Sequence, residues 1–188
     1  SIGVSIFVEV FDSVFIEQDR EAGDRIRLVM DIADRCLPYL RKGLYDRKNL
    51  DEATDIIRSC SYVSGVVMTD RRMVLSVSGT DLKHLHTKKE QILPEIVRQT
   101  IQTGNIQIAE NAQENDDFYM SLKKLTAVCA PLTQRGQVIG TLVLFIQKFK
   151  LSHEVEQEFI SGLAKLFSTQ LELSQLEDQK KLRQKAEF

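Results

Sequence analysis

The sequence predicts an α+β domain: an antiparallel β-sheet with helices on one face, flanked by long N- and C-terminal helices. Three observations carry that expectation. Two pairs of β-rich runs are each joined by a short polar turn, the mark of antiparallel hairpins. Around them lie stretches whose apolar residues recur at three- and four-residue steps, as on one face of a helix. From Phe167 to Phe188 there is neither Gly nor Pro, so a long helix runs to the end of the chain without a stop signal.

Composition bounds the rest. The chain has 188 residues, 43% hydrophobic and 28% charged, which suits one globular domain plus an elongated part. A net charge of -2 supplies no basic stripe, which argues against nucleic acid as a partner. The three cysteines, Cys36, Cys60 and Cys129, form no CxxC pair, so neither a disulfide framework nor a zinc site is expected and a reducing cytoplasm fits. No secretory signal with a small-residue cleavage site is present.

In chain order, "SIGVSIFVEVFDSVFI" comes first. It is apolar but holds Glu9 and Asp12, and it is shorter than the ~20 residues that span a bilayer. Ile2, Val4, Ile6, Val8 and Val10 alternate like a strand, while Val4, Phe7, Phe11 and Val14 fit a helical face. Two readings stand: an amphipathic terminal segment, or the cytoplasmic end of a membrane helix. Next, Ile26, Val29, Ala33, Cys36 and Leu40 form a narrow helical stripe. Such a stripe docks on its own domain or pairs with the same helix of a second copy. Pro38 calls for a kink or a boundary, and Gly43 for a stop.

A second helix is expected over about Leu50 to Cys60, with Asn49 as N-cap and Asp51 and Glu52 in the first turn. The hairpin "YVSGVVMTD"/"RMVLSVSG" turns at "TDRR". "KKEQILPEIVRQTIQTG" reads as a helix with Ile92, Ile96 and Thr100 inward, ending at Gly104. "NIQIAE" reads as a short edge strand and "NAQENDDFY" as a surface loop. A second hairpin, "LTAVCAPL"/"QVIGTLVLFIQ", turns at "TQRG". Ser152 is the expected cap of the last helix, with Glu154 and Glu156 in its first turn and Phe159, Leu163, Leu166, Leu173 and Leu176 as its apolar positions.

The stretches "DIADRCLPYLRKGL", "VVMTDRRMVLSVSG", "PLTQRGQVIGTLVLF" and "GLAKLFSTQLELSQLE" together resemble the GAF-like cytoplasmic domain of LytS-type sensor histidine kinases, from about Ile32 to Leu176. The resemblance implies bacterial membrane proteins of two-component systems, with transmembrane helices, a GAF domain and a kinase core. It implies a division of the chain into 1–17 (end of the last transmembrane helix or a membrane-proximal segment), 18–43 (an N-terminal signalling helix with a Pro kink), 44–151 (a GAF-like domain) and 152–188 (an output helix leading toward a kinase core). Further implications are a homodimer through the terminal helices, a LytTR-type response regulator as partner of the parent kinase, ATP for the kinase core alone, and the cell membrane as location. No phosphoacceptor motif is present, since His153 lies in "LSHEVEQ" with no Asn-box or glycine-rich ATP site after it. No catalysis is therefore expected of this chain. Relatives often carry a Gly, an Asp and a His pair close together after the first hairpin. Here "GTDLKHLHT" spreads Asp81, His84 and His86 apart.

Candidate residues follow. His84 and His86 would share one face of a strand, a spacing that can hold a metal, but no third ligand stands nearby and solvated loop histidines are the expected reading. Cys129 within "LTAVCAPL" is expected as a small buried hydrophobe. Its enzymatic alternative, a GAF-type methionine sulfoxide reductase, lacks a matching cysteine motif. "TQRGQVIG" has no phosphate-loop spacing, and "DQKKLRQK" reads as a solvated helix face. A small-molecule pocket would draw on Ser76, Ser78, Thr126 and Cys129; a filled core with no ligand and no cofactor is the equal alternative. Pro38 as hinge, and Leu163, Leu166, Leu173 and Leu176 along the output helix, are the expected signalling residues. A different output domain in place of the kinase core is the remaining alternative.

Overall fold

A computed structural model of the chain describes residues 20–59, 63–86, 92–148 and 153–186. The expectations for residues 1–17, Cys60 and the Ser152 cap lie outside them, as do those for the side chains of Ile26, Val29, Asp81, His86, His153, Glu154, Glu156 and Phe159. In chain order the elements are α1 (Arg20–Leu40), α2 (Arg47–Arg58), β1 (Val63–Asp70), β2 (Val74–Ser78), a 3₁₀ helix (Thr80–His86), α3 (Glu95–Thr103), β3 (Gln107–Ala109), α4 (Tyr119–Leu122), β4 (Leu125–Gln134), β5 (Gln137–Gln147) and α5 (His153–Ala186). The strands form one sheet in the order β2-β1-β5-β4-β3, with every neighbouring pair antiparallel. The α+β class, both hairpins and the edge strand β3 are those expected.

The central strand β5 pairs with β1 on one side and β4 on the other, and its residues 140–146 are buried on both faces. The approach to β1 is closest at Gly140, where a Cβ would sit 2.1 Å from the Thr69 carbonyl oxygen. Only a residue without a side chain fits there. Alternation along the strands sorts the core into two layers. Val66, Met68, Val128, Ala130, Leu132, Leu142, Leu144 and Ile146 meet α1, α2 and α5. Val67, Ala127, Cys129, Val143 and Phe145 meet the 3₁₀ helix, α3 and the segment around Phe118 and Leu122. On this second face the rings of Phe118 and Phe145 stack edge to face at 4.9 Å. The expected cover on one face is thus extended: the long helices take that face, and shorter elements take the other. The reason is that β1, β4 and β5 carry apolar residues at consecutive positions, which leaves two faces to bury.

Local departures have local causes. α2 is capped by Asp46, whose carboxylate accepts the Asn49 N–H at 3.3 Å, so the expected cap Asn49 is in fact the third residue of the helix. Ile92 was expected inward on a helix; it precedes Pro94, the N-cap of α3, and is 80% exposed. Ile96 and Thr100 are buried as expected, joined by Leu93 and Val97. Gly104 stops α3 in the left-handed region, its N–H returning to the Thr100 carbonyl at 2.9 Å. "HLH" lies on a 3₁₀ helix, not a strand, so positions 84 and 86 do not share a face by strand alternation. Pro38 falls within the last turn of α1, two residues before its end, and Gly43 at φ +80° donates to the Leu40 carbonyl at 3.1 Å.

Candidate functional site

The stripe of α1 faces its own domain. Ala33, Cys36 and Leu40 are buried among α2, α5 and the sheet, which removes them from any surface shared with a second copy. Of the two readings of that stripe, docking is the one these three residues satisfy.

α5 divides into two parts. Ile160, Leu163, Ala164, Leu166, Phe167 and Leu171 are buried against the sheet and α1. Leu173, Leu176 and Leu182 are 38%, 56% and 67% exposed, so the outer helix presents apolar side chains that its own domain leaves uncovered. Leu173 and Leu176, with Arg41, Gln170, Glu177 and Lys180, line a shallow groove of ≈ 450 Å³. At the junction of the two parts the Ser174 hydroxyl donates to the carbonyl of Arg41, just beyond the end of α1. The Thr133 N–H, at the end of β4, donates to Ser168 Oγ at 2.8 Å.

The four residues expected around a ligand do not converge. Ser76 Oγ donates to Asp51 Oδ1 at 2.5 Å and lies within hydrogen-bond distance of Thr54 Oγ1 at 2.8 Å. Ser78 Oγ donates to Asp55 Oδ1 at 2.6 Å and accepts from Arg58 Nε at 3.1 Å. Both hydroxyls therefore fasten β2 to α2. Thr126 shares their face of the sheet, but β1 and β5 lie between β2 and β4, a separation of roughly 14 Å at ordinary strand spacing. Its hydroxyl is buried with no hydrogen-bond partner among the described residues. Cys129 points to the opposite face.

That opposite face carries a cleft on which sequence reasoning placed no candidate ligand-binding residue. It measures ≈ 650 Å³ and lies between the start of α3, the edge strand β3 and the 110–118 loop. The volume is within the range of small-molecule sites. Asp116 shapes it: one carboxylate oxygen accepts the Glu95 N–H at 2.9 Å, capping α3, and the other accepts the Phe118 N–H at 2.8 Å. Arg98 pairs with Glu95 and donates Nε to the Leu93 carbonyl at 3.0 Å. Gln99, Asn111, Gln113 and Asn115 add carboxamides to the lining. His84 also contacts this loop, its Nε2 3.1 Å from the Asp117 carbonyl oxygen. Among the described residues no three His, Cys, Asp or Glu side chains cluster as metal ligands.

The described thiols are poor nucleophiles. Burial pushes Cys129 up to about 12, against a smaller opposing effect of the Thr100 and Thr141 hydroxyls. Burial does the same to Cys36, also to about 12, with Arg35 opposing. The thiolate, which is the reactive form, is thus suppressed at both. No helix among the described residues is long and apolar enough to cross a membrane.

No protein-family model matches the chain. The sensor protein LytS of Bacillus subtilis (strain 168) is 30% identical over 186 residues, covering 99% of this chain and 31% of that protein. The sensor histidine kinase/phosphatase LytS of Staphylococcus aureus (strain Mu50) is 27% identical over 188 residues, 100% of this chain and 32% of that protein. The chain spans about a third of the length of these curated relatives. Among solved structures, the GAF domain of A. aeolicus nlh2 in an inactive state superposes with a TM-score of 0.58 at 16% identity, covering 84% of this chain and 98% of that one. A free methionine-R-sulfoxide reductase from Neisseria meningitidis, in complex with its substrate, gives 0.59 at 14% identity, covering 79% and 90%. At such identities the likeness is one of fold. The chain is a homologue of the LytS sensor proteins along its whole length, and its fold is that of a GAF domain.

Proposed function

We propose that this chain is the GAF-like sensory and signal-transmission domain of a membrane-bound LytS-type sensor histidine kinase, relaying a signal from the transmembrane region to the kinase core by a rearrangement of paired helices. The observation that carries the reading is the junction of α1 and α5. The exit of the first helix is hydrogen-bonded to α5 at Ser174, on the boundary between the buried and the exposed part of that helix. A displacement of α1 therefore acts on α5 where it leaves the domain. Pro38 serves as the hinge near the end of α1. Leu163 and Leu166 hold the inner part of α5, and Leu173 and Leu176 face the same helix of a second copy in a parallel homodimer. The signal shifts a two-state equilibrium in proportion to its different affinity for the two arrangements.

The phosphoacceptor histidine, ATP and the LytTR-type response regulator belong to the whole protein, as does its place in the membrane. The chain itself performs no catalysis on this reading, in keeping with the suppressed thiolates of Cys36 and Cys129. Oxidative cross-linking of Leu173→Cys tests the relay geometry. A disulfide-linked dimer is the expected product, and a strictly monomeric chain in light scattering refutes the dimeric mechanism. The ≈ 650 Å³ cleft favours a second reading, a small-molecule-binding GAF domain. Native mass spectrometry of the purified chain distinguishes it by a bound mass.

A further inference from the structure

The hairpin of β4 and β5 is irregular in two places, and beside each of them a backbone N–H is donated to α5. The first is a register shift between Leu132 and Thr133, whose extra residue, Ile139, lies on β5; Thr133, beside it, stays in register with Val138 and turns its N–H away from β5. That N–H donates to Ser168 Oγ at 2.8 Å. The second is the turn itself. Arg135 and Gly136 have φ of +53° and +75°, so two consecutive left-handed residues connect Gln134 to Gln137. This is a two-residue hairpin turn whose first position favours Asn, Asp or Gly. Arg135 has the one positive φ among described residues other than glycine. Its N–H, which such a turn leaves outside the ladder, donates to Glu172 Oε1 at 2.8 Å. Gln134 adds a third bond, from Nε2 to the Leu171 carbonyl at 3.2 Å.

These contacts belong to a circuit. Arg71, in the turn between β1 and β2, donates Nη1 to the Val138 carbonyl at 2.9 Å, tying the two hairpin turns together. In the same turn Asp70 accepts the Arg72 and Met73 N–H groups at 2.7 and 2.8 Å through Oδ1. Its Oδ2 accepts the Tyr45 hydroxyl at 3.2 Å. Tyr45 lies four residues beyond Arg41 in the α1–α2 connection, and the Arg41 carbonyl accepts from Ser174 of α5. The ring thus runs from α5 through the β4–β5 turn, the β1–β2 turn and the α1–α2 connection, and returns to α5.

We infer that the β4–β5 turn is a latch that holds the rotational position of α5 on the sheet, and that the exit of α1 loads the same latch through Ser174. The bonds are exposed or partly buried, and each is weak alone. Together they give α5 one preferred register, and loss of one link loosens the others because all act on Ser168 to Ser174, less than two turns of helix. The left-handed Arg135 is tolerated because the turn must present its N–H to Glu172; strain at a turn of this kind persists only where its surroundings hold it. The inference deepens the proposed relay and rests on it only for its consequence in signalling.

The test is amide hydrogen exchange at Thr133 and Arg135 in the full 188-residue chain. Glu172→Ala is expected to accelerate exchange at Arg135 by about tenfold, because it removes a charged acceptor. Glu172→Gln should largely restore protection, since its amide oxygen accepts the same bond. The decisive variants are Ser174→Ala and Tyr45→Phe, which touch neither amide. Each is expected to accelerate both Thr133 and Arg135 at an unchanged melting temperature. Unchanged rates at both amides in these two variants, with the fold intact, would overturn the circuit. Autophosphorylation of the whole kinase separates latch from relay. Accelerated exchange with a signal response equal to that of the wild type refutes the relay and leaves the latch standing.

Discussion

Leu166 and Leu176 sit ten residues apart on α5, and replacing each by Ala should produce opposite patterns of loss. Leu166 is 2% exposed within the core under the sheet. Truncating a buried Leu to Ala costs about 2–5 kcal/mol through lost transfer energy and the cavity left behind. For a chain of this size that lowers the melting temperature by roughly 5–15 °C. Leu176 is 56% exposed, so less than half of its side chain gains from burial within the domain. Full burial of a Leu contributes about 1.5–3 kcal/mol, which leaves on the order of 1 kcal/mol here. Ala regains a few tenths of that through its better helix propensity. The isolated domain should therefore melt within about 3 °C of the wild type. Self-association is where Leu176→Ala should act, because a face buried in a dimer stabilises in proportion to occupancy. The assay is thermal melting followed by circular dichroism, at a concentration that keeps the chain monomeric and at one where it associates, with sedimentation alongside. If Leu176→Ala loses as much stability as Leu166→Ala at the lower concentration, the division of α5 into an anchored and a presented part is wrong. A loss below about 1 kcal/mol for Leu166→Ala would be equally damaging.

Other outcomes follow from single contacts. Gly140→Ala puts a Cβ against the Thr69 carbonyl, a backbone atom that cannot yield, and should cost more than about 3 kcal/mol in urea unfolding. Gly136→Ala meets no atom within 4 Å but retains φ +75°, so its cost should stay near 1 kcal/mol. Thr126→Val removes a buried hydroxyl that has no partner and should raise the melting temperature; a decrease would point to an acceptor on a bound molecule. Cys36 and Cys129 are held protonated to about pH 12, against a usual value of 9.0. Between those limits the unfolded chain sheds protons that the folded one keeps, so stability is full below about pH 9 and falls as pH rises toward 12. Cys129→Ala should flatten that decline in pH-dependent unfolding. Iodoacetamide at pH 8 should label neither residue until urea is added, as read by peptide mass mapping.

The sequence by itself determined whatever depends on neighbours a few residues apart. β-rich runs bounded by polar turns named the strands, Gly104 named a helix stop, "TQRG" named a hairpin turn, and uninterrupted helix formers named α5, because each signal is a local torsional or compositional requirement. The likeness to LytS proteins was legible from about Ile32 to Leu176 for the same reason, carried by short stretches read in order, and the comparison extends it over 99% of the chain. Periodicity, however, gives a stripe and not its partner. Nothing local told Ala33, Cys36 and Leu40 to face their own sheet rather than a second copy; that followed only from the arrangement of α2, α5 and β4 around them. Ser76, Ser78 and Thr126 looked like polar handles of one pocket, yet α2 claims the two serines and two intervening strands remove the threonine. The cleft of α3 stayed hidden because Asp116 caps that helix from 21 residues downstream. Tertiary structure decided these points because a hydroxyl, a carboxylate or an apolar face is satisfied by whatever group the fold brings within 3 Å or so, at any distance along the chain.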